Sequence, residues 1–105
     1  MTPREYFEIL KGKLSAETAA EVNAIFLFDL TGDNGGKWWI SLLEGKEPSV
    51  GEGENAEANV TITMDASDFV DMVKGDLNPQ MAFMGGKLKV AGSMGLALKL
   101  QKVLL

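Results

Sequence analysis

The last helix of this chain carries more apolar surface than a core can use. At about 100° per residue, Met94, Leu96, Ala97, Leu98, Leu100, Val103, Leu104 and Leu105 cover well over half of its circumference, and only Lys99 and Lys102 form a clearly polar edge. A helix resting on a core needs an apolar stripe about 100° wide. The surplus must be covered by a groove, by a partner or membrane, or by the contents of a cavity. Methionine is concentrated nearby: Met64, Met72, Met81, Met84 and Met94 are five of the six in the chain. Such flexible, polarizable side chains suit either an irregular core or a surface that repacks around varied apolar guests. Both readings stay open on composition alone.

The rest of the pattern places that helix at the end of an α+β chain. Thr2-Pro3-Arg4-Glu5 reads as a capping box with proline at the first helical position. Ser15 can cap a second short helix reaching about Val22. Residues 24–30 and 37–43 are compact, aromatic-rich runs on either side of Asn34-Gly35, which predicts an antiparallel hairpin. Residues 44–57 are rich in Glu and Gly and predict loops with at most a short strand near Ser49-Val50. Residues 58–64 alternate apolar with polar, as a half-buried strand does. Asp65 then opens a helix over 66–74, Asn78-Pro79 opens another ended by Gly85-Gly86, and residues 87–91 alternate again. The sum is one domain over residues 1–105, with a five-stranded, largely antiparallel sheet and helices packed on one face. Parity along the strands puts Phe26, Phe28, Leu30, Trp38, Ile40, Leu42, Val60, Ile62, Met64, Leu88 and Val90 on the inner face. Leu27 and Trp39 fall on the outer face among polar residues.

Composition removes several function classes. There is no cysteine and no histidine among the 105 residues, so thiolate chemistry and the commonest general base and metal ligand are absent. Five serines, scattered lysines and surface carboxylates show no catalytic spacing, so no catalytic residue and no cofactor are expected. Asp65, Asp68 and Asp71 lack the loop glycine of an EF-hand and read as the start of a helix, so no metal is expected either. Gly51–Ala56 carries glutamates where a dinucleotide's pyrophosphate would sit, and Gly86-Lys87 is not a P-loop. Asn59-Val60-Thr61 matches a glycosylation acceptor but lies within a predicted strand.

A net charge of −5 argues against a nucleic-acid partner. The charge is uneven: residues 1–86 hold six basic and fifteen acidic side chains, whereas residues 87–105 hold Lys87, Lys89, Lys99 and Lys102 and no acid. These lysines either complement helix dipoles or make a transient contact with an anionic membrane surface. The first residues are not a signal peptide, no apolar run approaches membrane-spanning length, and Val103-Leu104-Leu105 is not a peroxisomal address. A cytoplasmic protein is expected, as a monomer or, alternatively, a dimer.

The ordered set Val60–Met64, Ser67–Phe69, Asn78–Gln80, Ala82-Phe83, Gly86–Val90 and Met94–Gln101 resembles the C-terminal half of sterol carrier protein 2, the non-specific lipid-transfer protein family. Val22–Phe28, Lys37-Trp38 and the spacing to Gly45 match more loosely, so the resemblance spans about residues 3–105. It implies a hydrophobic tunnel between sheet and helices that accepts fatty acids, fatty acyl-CoAs, sterols and other lipids. Trp38, Gln80 and Phe83 stand at matching family positions, whereas Leu98 stands where some members offer the ligand a glutamine, implying a more apolar tunnel here. The tunnel residues expected from the sheet are Phe26, Phe28, Trp38, Ile40, Ile62, Met64 and Leu88. The helices are expected to add Phe69, Met72, Gln80, Met81, Phe83, Met84, Met94 and Leu98. The implied function is lipid carriage. The alternative is an accessory role, presenting a lipid or isoprenoid intermediate to a partner enzyme.

Overall fold

Thr2 opens the first helix as its spacing to Glu5 predicts: the Glu5 N–H donates to the Thr2 hydroxyl at 3.2 Å, and the Thr2 N–H donates to the Glu5 carboxylate at 3.2 Å. Helix α1 (Pro3–Leu10) follows, and Ser15 caps α2 (Ala16–Val22), whose end is turned by Asn23 at φ 48°. The computed structural model describes residues 1–104; Leu105, assigned above to the final helix, lies outside the described residues. Next come β1 (Ala24–Thr31), β2 (Gly36–Leu42), β3 (Ser49–Glu52) and β4 (Val60–Asp65). Then α3 (Ala66–Val73), α4 (Pro79–Met84), β5 (Leu88–Gly92) and α5 (Met94–Leu104) complete the chain.

Strands β1 and β2 form the expected hairpin, with Phe28 opposite Trp38. Its turn needs Gly35, because a Cβ there would fall 2.4 Å from the Leu30 carbonyl oxygen. The sheet is open, in the order β3-β2-β1-β4-β5. Three pairings are antiparallel, and β1 with β4 is parallel, Phe28 lying beside Ile62. Asn59 fixes that parallel entry from both sides: its side-chain oxygen accepts the Ile25 N–H at 2.8 Å, and its own N–H donates to the Ile25 carbonyl at 2.8 Å. The Asn-x-Thr sequence at this point is therefore a backbone clamp.

From Phe26 onward the two faces of the sheet divide as period-two alternation requires, whereas Ile25 at the start of β1 is buried on the other face. Phe26, Phe28, Leu30, Trp38, Ile40, Leu42, Val60, Ile62, Met64 and Leu88 are buried, whereas Leu27, Asp29, Trp39, Ser41, Thr61 and Thr63 are half-buried. Helices cover only the buried face. On its β1–β2 side an aromatic pile fills the space: Phe7 of α1 lies parallel to Trp38 and to Phe69 of α3, with centroids 5.3 and 5.4 Å apart, and Phe28 meets Phe69 edge-on at 5.6 Å. On the uncovered face, Trp39 lies across Gly51 of β3, where a Cβ would come within 2.2 Å of the indole. Trp39 thus packs on its own sheet where the sequence leaves it as an outward apolar group.

Candidate functional site

The other half of the covered face is built differently. Ile62 of β4 and Leu88 and Val90 of β5 form a floor, and among the described residues none of α1 lines the space above it. Asn78 starts α4 beside that floor by accepting the N–H groups of Gln80 and Met81 at 2.9 and 3.2 Å. Gly86 ends it, after which the Lys87 N–H donates to the Ala82 carbonyl at 2.8 Å and turns the chain into β5. Ser93 then starts α5, its hydroxyl accepting the Leu96 N–H at 3.3 Å. Because β5 is only five residues long, α4 and α5 stand at its two ends and enclose the floor between them.

The result is a cavity of about 240 Å³. Met72 of α3 and Pro79, Gln80, Phe83 and Met84 of α4 form one wall. The other is α5, through Met94, Ala97, Leu98, Leu100, Gln101 and Leu104. These α5 positions follow the spacing of three and four that puts residues on one helical face, so the surplus apolar arc faces the cavity. Among the described residues its lining holds no Asp, Glu, Lys, Arg, Ser, Thr or Tyr. Such a wall has no nucleophile and no group that exchanges a proton near neutral pH. It can hold an apolar guest and offer it two amide side chains, Gln80 and Gln101.

Of the residues expected in the tunnel, Ile62, Met72, Gln80, Phe83, Met84, Leu88, Met94 and Leu98 line this cavity. Phe26, Phe28, Trp38, Ile40, Met64 and Phe69 lie instead within the solid core, each less than a twentieth exposed. Strand parity assigns them to the correct face, but parity cannot say which half of that face is filled by side chains. Met81 points away, 71% exposed at the cavity's outer edge. Pro79, Val90, Ala97, Leu100, Gln101 and Leu104 join the lining in addition to the expected tunnel residues. Gln101 was legible: it lies three residues beyond Leu98, on the same helical face. It restores an amide to a wall that Leu98 alone leaves apolar.

A second cleft, about 380 Å³, lies on the opposite flank of α5 against α2 and is lined by Lys13, Leu14, Thr18, Glu21, Val22, Lys99, Lys102 and Val103. Among the described residues no group of His, Cys, Asp or Glu could hold a metal ion. Nor is any helix among them long and apolar enough to cross a membrane.

The model of the SCP-2 sterol transfer family matches residues 6–105. The chain belongs to that family. The SCP-2 sheet and its helices superpose on sterol carrier protein 2 from Yarrowia lipolytica in its apo form with a TM-score of 0.82, at 29% identity over 93% of this chain and 85% of that one. The sterol carrier protein domain 2 of Helicoverpa armigera gives a TM-score of 0.77, at 36% identity over 95% of this chain and 83% of that one. Among curated proteins, human hydroxysteroid dehydrogenase-like protein 2 is 46% identical over 101 residues, or 95% of this chain. The SCP-2 chain spans only 24% of that relative's length. Family membership makes this a lipid-binding domain of the sterol-carrier type, with the expected α+β fold.

Proposed function

We propose that the protein carries one lipid at a time, with its apolar part in the cavity between β4–β5, α4 and α5. The guest is a fatty acid, fatty acyl-CoA, sterol or isoprenoid-like molecule. The observation that carries this reading is the cavity's lining, apolar except for Gln80 and Gln101. A chain of about sixteen carbons gains up to about 13 kcal/mol at ~0.8 kcal/mol per buried methylene. Costs of roughly 4–15 kcal/mol for association and ordering come off this. Micromolar affinity is therefore reachable without a specific polar contact, and broad selectivity follows because transfer energy counts methylenes. At 240 Å³ the cavity lies below the roughly 300–1,000 Å³ usual for a ligand pocket. A guest must therefore part α4 from α5, and the flexible side chains of Met72, Met84 and Met94 can follow that change.

Organic extraction of the purified protein with lipid mass spectrometry, joined to displacement of a fluorescent fatty acid, tests the carrier reading. Recovery of a lipid, or a rise in melting temperature on adding one, supports it. If nothing is extracted and no lipid alters the melt, the reading is overturned. Leu98→Glu addresses the place: uptake should fall at least tenfold in protein that still folds, and unchanged uptake would move the guest elsewhere.

A second reading is favoured by one observation, that the chain spans a quarter of a longer relative named for a dehydrogenase. In it the domain presents its lipid to a catalytic partner or catalytic neighbour. Leu27 and Trp39, half-buried on the uncovered sheet face, are the residues such a partner would touch. A pull-down that recovers no partner with wild-type protein counts against it.

A further inference from the structure

The cleft on the far flank of α5 is charged against the character of the molecule. In a chain of net charge −5 it gathers Lys13, Lys99 and Lys102 around a single carboxylate, Glu21, a balance of +2. None of the three lysines is in an ion pair among the described residues, whereas Arg4, Lys11, Lys37 and Lys74 each reach a carboxylate. Lys99 and Lys102 are three residues apart and therefore neighbours on the surface of α5. Their charges, and that of Lys13 beyond the end of α1, repel one another unless an anion lies among them.

The remaining lining defines what kind of anion fits. Leu14, Val22 and Val103 give the cleft an apolar floor, and Thr18 adds a hydroxyl. Its volume of about 380 Å³ lies within the roughly 300–1,000 Å³ usual for a ligand pocket. A phosphate monoester carries a charge of about −1.5 to −2 near neutral pH, which matches the balance of the lining. A carboxylate would leave one positive charge unmatched. Lysine meets phosphate as a point charge, which suits an anion whose charge is spread over several oxygens. An apolar or aromatic body attached to that phosphate would rest on the floor and leave water.

We propose that the α2–α5 cleft binds a small soluble phosphate monoester with an apolar or aromatic body, and that this ligand pins the helix walling the lipid cavity. Lys99, Lys102 and Val103 face the cleft, whereas Leu98, Gln101 and Leu104, each one residue away, face the cavity. An anion held between Lys13 and the two α5 lysines joins that helix to the segment between α1 and α2. It binds the docked position of α5 and loses partners when the helix lifts, so it raises the free energy of lifting. Exchange of the guest slows as a result. Binding of the anion stands apart from the lipid-carrier reading, and only the slowed exchange rests on it.

Titration of phenyl phosphate into the full chain, followed by amide chemical shifts, tests the proposal. The shifts should centre on Lys13, Thr18, Glu21, Lys99 and Lys102, and benzoate should bind several-fold more weakly. Lys13→Gln, Lys99→Gln and Lys102→Gln should each weaken binding about threefold, as loss of an exposed ion pair does. Glu21→Gln should strengthen it by a similar factor. Lys87→Gln and Lys89→Gln, equal changes of charge outside the cleft, should leave it unaltered. Saturating phenyl phosphate should slow hydrogen exchange of the α5 amides several-fold, and release of a fluorescent fatty acid with it. The α5 amides report pinning even in protein that takes up no lipid, so the two readings fail separately. Absence of shifts at millimolar phenyl phosphate, or equal loss of binding in the Lys87 and cleft variants, overturns the proposal. So does unchanged α5 exchange at saturation. Binding of dihexanoyl phosphatidic acid without binding of phenyl phosphate also overturns it, by giving the anion to a lipid head.

Discussion

The Tyr6 hydroxyl donates a hydrogen bond to the Leu104 carbonyl oxygen at 2.9 Å, joining the first helix to the last turn of the helix that walls the cavity. The phenol is partly buried, and that burial pushes its pKa up to about 12. It is the only tyrosine in the chain. In the unfolded chain it ionises near 10, so the folded state holds the proton more tightly. Its contribution to stability is complete below pH 10 and is lost as pH rises from about 10 to 12. Tyr6→Phe should remove that part of the alkaline slope and cost about 1 kcal/mol near neutral pH. Melts at several pH values check this, and identical alkaline slopes in the two proteins would refute it.

The aromatic pile and the cavity should respond oppositely to truncation. Phe28→Ala leaves a hole against Phe7 and Phe69 and should cost about 3–5 kcal/mol, lowering the melting temperature by more than about 10 °C. Phe83 is 43% exposed, so Phe83→Ala should change the melt little and weaken lipid displacement several-fold. A Phe83 variant as unstable as the Phe28 variant would contradict this division.

Gly51→Ala should destabilise the β2–β3 edge by about 1–3 kcal/mol, since its methyl group would overlap the Trp39 indole. Acrylamide quenching of tryptophan fluorescence should increase as that ring is lifted. Unchanged quenching and an unchanged melt would show that the indole has another resting place.

Gln101→Leu should lower the affinity for a fatty acid about fivefold relative to a hydrocarbon of equal length, the value of one net hydrogen bond. The same fluorescent displacement assay run with both competitors reads the ratio. Equal losses for the two competitors would assign Gln101 no contact with a polar end.

The sequence makes some of this legible and hides the rest for a physical reason. Local chemistry locates the elements: the Thr2–Glu5 box, Asn34-Gly35, Asp65, Asn78-Pro79 and Ser93 each act on backbone within a few residues. Alternation separates Phe28 and Ile62 from Leu27 and Thr61. What alternation cannot supply is distance between elements. Phe28, Trp38 and Phe69 become solid core because α1 delivers Phe7 among them, which depends on the angle at which a helix far away in sequence docks. Ile62, Leu88 and Leu98 look no different in sequence, yet they face a void because α4 and α5 bring a single ring, Phe83, and otherwise aliphatic, thioether and amide side chains there. Gln101 was available from helical spacing alone.

That asymmetry has a dynamic consequence. Interlocked rings open only with the whole domain, whereas α4, six residues long, and α5, with much of its surface exposed, hold the wall through few buried groups. Cooperative units of unequal free energy follow from such a layout. Amide hydrogens of α4 and α5 should exchange through a local opening long before those of β1 and β4. The layout lets this flap release and reseal while the strands stay paired, a route by which the proposed guest would exchange without the molecule unfolding.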